Sequence, residues 1–162
     1  MPPTPAPPRR PGLLRKAASS LGRWFTGRPA PYPGDFTGAL TPLYSPRPDG
    51  RPDPGEIVWT WVPFEEDHSR GKDRPVLLVG HDGRWLLALQ LTSKNHDAYP
   101  TRTGRSRWVD IGAGDWDRQR RPSEVRVDRV IRVDPKAVRR EGAVLPKQQF
   151  ESVARAVAAL HR

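Results

Sequence analysis

The chain has 162 residues, enough for one folded domain with an added tail, and it carries a net charge of +10. Because it contains no cysteine, a disulfide framework, a thiolate metal site and a cysteine nucleophile are excluded. The histidines lack the spacing of a zinc site, and no apolar run approaches the roughly 18 residues of a membrane span. We therefore expect a cytoplasmic protein with no metal or other cofactor, whose positive charge suits nucleic acid or an acidic partner.

Residues 1–53 form a segment rich in proline and arginine, which we expect to be a largely disordered tail. Fourteen of the twenty prolines lie in residues 1–54, and such a composition buries too little apolar surface to offset the entropy of ordering. Within it, the apolar positions of residues 12–25 recur at helical spacing and predict a short amphipathic helix. This helix suits a membrane surface or a partner groove, although a marginal helix without such a role is the more ordinary interpretation and membrane contact is not expected. Residues 34–53 have the pattern of an extended lead-in.

From Gly55 onward, the sequence predicts a small domain made mainly of β-strands. Runs of β-branched and aromatic residues between turn signals predict strands at 55–64, 75–80, 84–92, 107–112 and 124–133. An Asp-Gly turn joins the second and third strands into a hairpin. A short helix is predicted at 134–141 and a terminal amphipathic helix at 146–162. Short strands with one terminal helix favour a small β-barrel or a half-open sheet over a doubly wound α/β fold.

A loop crowded with charge, residues 65–74, leads into the buried second strand. If the hairpin pairs around its Asp-Gly turn, Arg74 and Thr92 lie opposite each other at its open end. An arginine can clamp an anion with two hydrogen bonds, and a hydroxyl can donate to the same oxygens, so the pair suits a phosphodiester site. Two alternatives stay open: Arg74 as a rim arginine paired with Asp73 or Glu66, and Thr92 as an ordinary strand residue.

Other catalytic signatures are missing from the sequence. It has no phosphate-binding loop, dinucleotide fingerprint or nucleophile elbow. His68 and His96, in the two loops that flank the hairpin, are of a type that can transfer protons near neutral pH, although solvated loop residues are the more ordinary interpretation. The phosphodiester site at the open end of the hairpin is therefore the sharpest functional hypothesis that the residues support.

Three segments of the chain resemble the PemK/MazF toxins of type II toxin–antitoxin systems. They are the opening strand "PGEIVWTWVPF", the "RP" step with its apolar strand and the following "LLALQLTSK", and the later "PSEVRVDRVIRVD". They occur in the family's order, and the resemblance covers residues 54–162. It implies a toxin domain over those residues with the CcdB/PemK-like plasmid maintenance toxin fold, an SH3-like β-barrel with helices that is usually a homodimer.

The resemblance also implies an activity and a set of site residues. The activity is metal-independent endoribonuclease cleavage of single-stranded RNA at short sequences, by attack of a 2′-hydroxyl on the adjacent phosphate, with a cognate antitoxin as the silencing partner. Arg74 takes the position of the family's proton-transfer and phosphate-stabilising arginine, and Thr92 that of its oxyanion-stabilising threonine. Contacts with RNA are expected from His68, Ser69, Arg70, Lys72, Ser93, Lys94 and Arg129.

The chain also departs from the family pattern. Asp67 and His68 stand where the family commonly has a Gly-Ser pair, and Arg129 stands where it has a glutamine. The acidic residues that begin the charged loop are unusual on a surface that receives RNA. A second hypothesis is therefore a catalytically inactive binding module for RNA, DNA or a protein partner.

Overall fold

A computed structural model describes residues 31–93 and 107–160, which belong to one unit beginning at Pro31. Within these ranges, seven strands precede one α-helix. Their bounds are β1 Glu56–Pro63, β2 Gly71–Asp82, β3 Trp85–Thr92, β4 Trp108–Gly112, β5 Ser123–Arg126, β6 Ile131–Val133, β7 Arg140–Val144 and α1 Lys147–Leu160. The predicted helix at residues 12–25, Lys94 and His96 all lie outside the described residues.

The seven strands form one antiparallel sheet that curves into a half-barrel. The order across the sheet is β4-β5-β3-β2-β1-β7, and β6 pairs with β3 beside this path. The β2–β3 hairpin is at its centre and turns at Gly83, whose φ of 60° is a conformation that glycine adopts without strain. The predicted small β-barrel with a C-terminal helix is thus confirmed in this half-barrel form.

Both faces of the central strands are covered by apolar side chains. Ile57, Leu77 and Leu89 face one core, where α1 contributes Phe150, Val153 and Val157. Alternate residues of the same strands face a second core, formed by Val58, Val62, Val76, Leu78, Leu86, Ala88, Ile131 and Val133. Burial on both faces explains why β2 and β3 have nearly continuous apolar runs instead of alternating polarity.

The segment 31–53 packs on the sheet, so the predicted domain boundary at residue 53 does not match the folded unit. The Phe36 amide donates to the Val130 carbonyl at 2.9 Å, and the Leu43 amide donates to the Val79 carbonyl at 2.8 Å. The Tyr44 hydroxyl donates to the Leu145 carbonyl at 2.8 Å. Proline-rich composition indicated a tail, but a few anchoring aromatic residues and backbone hydrogen bonds hold this part in place.

Three predicted elements differ from those in the structure. The second strand begins at Gly71 instead of Pro75, because β1 pairs with it as far as Pro63 and Gly71. The helix predicted at 134–141 is only a 3₁₀ turn at Pro135–Ala137, after which β7 pairs with the edge of β1. The long strand predicted at 124–133 is divided into β5 and β6, and Val130 between them bridges to Phe36.

Candidate active site

A cavity of about 410 Å³ lies at the open end of the β2–β3 hairpin. Both residues of the predicted pair, Arg74 on β2 and Thr92 at the end of β3, line it. Lys72 and Ser93, two of the predicted RNA contacts, line the same cavity and are exposed. The hairpin therefore brings four of the predicted site residues to one concave surface.

The sheet register explains why Arg74 and Thr92 are neighbours. Arg74 is paired with Thr60 of β1, and two residues further along β2, Val76 is paired with Gln90 of β3. Continuing this antiparallel register by two residues places Arg74 opposite Thr92. Thr92 is itself paired with Glu124 of β5, so strands hold the site residues on both sides.

The Arg74 guanidinium has no hydrogen-bond or ion-pair partner among residues 31–93 and 107–160. It is half-buried, so burial costs it solvation without a protein anion in return. The alternative of a rim ion pair is not seen: the Asp73 carboxylate lies 3.4 Å from the Arg139 guanidinium instead. Arg74 is therefore placed to receive an anion from outside the protein.

Tryptophans form the apolar part of the cavity. Trp59 and Trp108 are half-buried, whereas Trp116 is buried, and all three line it. The Trp59 indole donates to the Trp116 carbonyl at 2.8 Å, and the Trp116 indole donates to Ser123 Oγ at 3.0 Å. From the sequence, core packing is the ordinary role of these tryptophans, and an interface role for them belongs only to the binding-module hypothesis. The arrangement provides flat apolar surfaces next to a cation.

Asp117 and Arg121 form an ion pair at the edge of this cavity. The Arg121 Nε donates to Asp117 Oδ2 at 2.8 Å, and Asp117 is buried. This hydrogen bond is the main reason why the pKa of Asp117 lies below its ordinary value. Sequence reasoning missed both residues, and their i, i+4 spacing in an irregular loop offered only a weak signal.

Three predicted RNA contacts, His68, Ser69 and Arg70, lie in the loop between β1 and β2 and do not line the cavity. The loop covers residues 64–70, and its ends are joined by a hydrogen bond from the Phe64 amide to the Arg70 carbonyl at 2.8 Å. Ser69 Oγ is 2.6 Å from Asp67 Oδ1, and the Arg70 guanidinium lies 6.0 Å from the Phe64 ring. His68 packs edge-on against Tyr32, with 5.0 Å between the ring centroids. These three residues are exposed, and their contacts with RNA stay a prediction.

Arg129 has a different placement from the one expected of an RNA contact. It is only 5% exposed, and its Nε donates to Asp35 Oδ2 at 2.8 Å. Two further N–H groups donate to the Pro63 carbonyl at 2.7 Å and to Gln90 Oε1 at 3.4 Å. All three nitrogens of the guanidinium are therefore used inside the protein. The carboxylate that Arg129 needs comes from Asp35 in the N-terminal segment.

We call Tyr32, Asp35 and Arg129 the Asp35 clamp, since these residues join the N-terminal segment to the sheet. The Tyr32 hydroxyl donates to Asp35 Oδ1 at 2.5 Å. Burial alone would raise the pKa of Asp35, but hydrogen bonds from Arg129 and Tyr32 and the positive charge of Arg129 outweigh it and lower the pKa. Burial, followed by the hydrogen bond to Asp35, raises the pKa of Tyr32, so that its hydroxyl remains a donor.

A second, polar pocket of about 280 Å³ lies between the 64–70 loop and the sheet, and we call it the loop pocket. Arg74 lines it as well as the cavity that contains Thr92. Its other polar side chains are Gln90, Arg126 and Arg129 from the sheet and Glu65 and Glu66 from the loop. Gln90 also lines both, so the two concave surfaces meet at Arg74 and Gln90.

The described residues offer no site for a metal ion, since they contain no group of three or more histidine, aspartate or glutamate side chains that could hold one. The chemistry available here is that of positive charge, hydroxyl groups and aromatic surfaces. Within the same ranges, no helix has the length and apolar character needed to cross a membrane.

Comparison with known protein families gives one match, which covers most of the chain. Residues 53–161 match the model of the PemK-like, MazF-like toxins of type II toxin–antitoxin systems. The chain belongs to this family. A search of curated proteins found no significant match. The matched range contains the whole sheet, α1 and the cavity around Arg74, and toxins of this family pair with cognate antitoxins.

Proposed function

We propose that this PemK-like chain is a sequence-selective, metal-independent endoribonuclease toxin that cleaves single-stranded RNA. The observation that carries the proposal is a half-buried arginine that has no anionic partner among residues 31–93 and 107–160, beside a threonine, in a cavity lined by indole rings. A phosphodiester group supplies the missing anion, and aromatic rings supply stacking surfaces for the unpaired bases of single-stranded RNA.

The proposed reaction is an internal transfer of the phosphoryl group. The ribose 2′-oxygen attacks the adjacent phosphorus and loses its proton, the bond from phosphorus to the 5′-oxygen breaks, and the leaving oxygen takes up a proton. The products are a 2′,3′-cyclic phosphate and a 5′-hydroxyl. Arg74 stabilises the charge that develops on the phosphoryl oxygens and assists proton transfer, while the Thr92 hydroxyl donates to one of those oxygens.

The partners that we propose are single-stranded RNA, a cognate antitoxin and a second copy of the chain in a homodimer, all acting in the cytoplasm. Lys72 and Ser93 lie on the exposed rim of the cavity, where they can contact the RNA backbone. The excess of basic residues over the whole chain favours association with a polyanion.

The first experiment incubates the purified protein with a long single-stranded RNA in the presence of EDTA and maps the new ends by primer extension. Discrete cuts that carry a cyclic phosphate are expected. A 2′-deoxy substitution at the nucleotide that supplies the attacking oxygen should abolish the cut at that position only. Binding of RNA without any cut, by folded protein, would instead establish the binding-module hypothesis.

A further inference from the structure

The floor of the loop pocket consists of buried polar side chains to which the proposed cleavage reaction assigns no role. Gln90 is 8% exposed and Arg129 is 5% exposed. The Gln90 Oε1 accepts a hydrogen bond from Arg129 at 3.4 Å, which leaves the Nε2 end of the amide as a donor. Within the part of the chain that the structure describes, that donor has no protein acceptor. This amide can therefore donate to an oxygen of a ligand or of water that enters the pocket.

The carboxylate of Glu65, in the loop, forms an ion pair with Arg126, one of the arginines that line this pocket. Glu65 Oε2 lies 2.8 Å from Arg126 Nη2. The Arg126 side chain is 16% exposed, whereas the Glu65 side chain is 55% exposed. The cation is therefore built into the sheet, and Glu65 contacts it from the solvent side. Because Glu65 is exposed, its ion pair with Arg126 contributes little to stability, and another anion can replace its carboxylate.

Arg126 stays positively charged when Glu65 leaves. Its Nε donates to Asp128 Oδ1 at 2.6 Å, so one carboxylate remains in place. Burial alone would lower the pKa of Arg126, but the neighbouring carboxylates outweigh it and raise the pKa. Arg126 Nη2 also donates to Asp128 Oδ2 at 3.3 Å. Arg126, Arg74 and Gln90 all line the pocket, so without Glu65 their N–H groups form a donor set that fits the oxygens of a phosphate.

We propose that the loop pocket binds a phosphodiester group of the RNA next to the one that is cleaved, and that Glu65 occupies Arg126 until RNA displaces it. This inference rests on the proposed function and adds to it. Arg74 lines both pockets, so the two proposed phosphate sites lie side by side. It also gives the acidic start of the loop a role, as an internal competitor for the RNA backbone.

The test measures binding of an RNA that is 2′-O-methylated at every ribose and so cannot be cleaved. Glu65→Gln is compared with Glu151→Gln, an exposed position on α1 that loses the same charge. Glu65→Gln should bind about three- to fivefold more tightly than Glu151→Gln, which corresponds to the energy of an exposed ion pair. The slope of log Kd against log salt should become shallower by about 0.7 in Arg126→Gln, since one phosphate contact is lost.

The double variant Glu65→Gln/Arg126→Gln tests whether the gain passes through Arg126. In a protein that already carries Arg126→Gln, adding Glu65→Gln should not tighten RNA binding, because the effects of two residues in contact are not additive. If Glu65→Gln behaves like Glu151→Gln, or if its gain persists without Arg126, the inference is overturned while cleavage by the wild type still supports the proposed function. If the wild-type protein neither binds nor cleaves RNA, the proposed function fails as well.

Discussion

Arg74 and the arginines that contact the N-terminal segment have different surroundings. Arg74 lines two concave surfaces and has no anionic partner among the described residues. Arg129 and Arg132 are each paired with a carboxylate, Asp35 and Asp82 respectively. A buried guanidinium that is satisfied by the protein stabilises the fold, whereas one that the protein leaves unsatisfied is placed to bind a ligand.

This difference bears on how the arginines of an arginine-rich sequence are interpreted. Arginine accounts for most of the basic residues, so its frequency alone does not separate structural from functional positions. What separates them is whether an anion lies within reach in the folded chain. The following predictions test that distinction, beginning with the largest expected effect.

The first prediction concerns Arg74, whose replacement should damage the activity and leave the fold intact. Arg74→Ala is expected to lower the rate of RNA cleavage by about 10²–10³-fold, the usual loss when a group that stabilises transition-state charge is removed. Because Arg74 has no described partner, the thermal midpoint should stay within about a degree or two of the wild type. Single-turnover cleavage and thermal unfolding measure the two quantities.

Arg84→Ala is the matched control for Arg74→Ala. Arg84 is exposed at the turn of the same hairpin, where it lies 5.0 Å from the Trp85 ring. Its replacement removes the same charge at the opposite end of the hairpin and should change cleavage by less than about twofold. Equal losses in the two variants would show that overall charge, not the position of Arg74, governs the activity.

The second prediction concerns the Asp35 clamp, where replacement should damage the fold first. Asp35→Ala leaves Arg129 buried without its carboxylate and should lower the free energy of unfolding by about 3 kcal/mol. Chemical denaturation measures this loss. Glu151→Ala, on the exposed side of α1, should cost less than about 0.5 kcal/mol. A loss at Asp35 no larger than at Glu151 would mean that the N-terminal segment contributes little to stability.

The half-barrel was predictable because its signals are local. β-Branched and aromatic runs, an Asp-Gly turn and a terminal amphipathic pattern each specify one element. The hairpin register follows from its turn except for a shift between Leu78 and Gly80. Arg74 and Thr92 could be placed together for that reason alone. Their shared cavity also depends on Trp59, Trp108 and Trp116, which lie outside the hairpin.

The clamp and the loop pocket were not predictable because they depend on partners that are distant in sequence. Arg129 contacts Asp35, 94 residues away, in a segment whose proline content indicated a tail. Likewise, Glu65 and Arg126 meet only after β1 and β5 are placed in the same sheet. The helix predicted at 134–141 failed for a related reason: the free edge of β1 offered β7 a pairing that local capping signals do not reveal.

The third prediction is a loss of stability in acid that depends on Asp35. Because the folded protein lowers the pKa of Asp35, this group contributes stability above its unfolded pKa of about 3.9 and loses it as the pH falls through the folded value. Wild type should therefore lose stability more steeply below about pH 4 than Asp35→Asn does. Denaturation midpoints of both proteins between pH 3 and pH 7 measure the difference. Parallel curves would show that the pKa of Asp35 is not lowered by folding.

The smallest expected effect is that of Tyr32, which supports Asp35 with one hydrogen bond. Tyr32→Phe should cost about 1 kcal/mol at pH 7, the usual contribution of a single hydrogen bond or slightly more because the acceptor is charged. Without this donor, the folded pKa of Asp35 rises toward its ordinary value. The stability difference between wild type and Tyr32→Phe should then shrink as the pH falls and Asp35 becomes protonated in both proteins.

Tyr44→Phe is the control that makes this last measurement decisive. The Tyr44 hydroxyl donates to the carbonyl of Leu145 at 2.8 Å, and a carbonyl does not titrate. Its removal should cost a similar amount at every pH between 3 and 7, whereas the cost of Tyr32→Phe should fall toward acid. If both costs are independent of pH, the Tyr32 hydroxyl stabilises the protein through the hydrogen bond that it accepts from the Arg132 amide at 3.4 Å rather than through the carboxylate of Asp35. Arg129 would then be the donor within the clamp that stabilises that carboxylate.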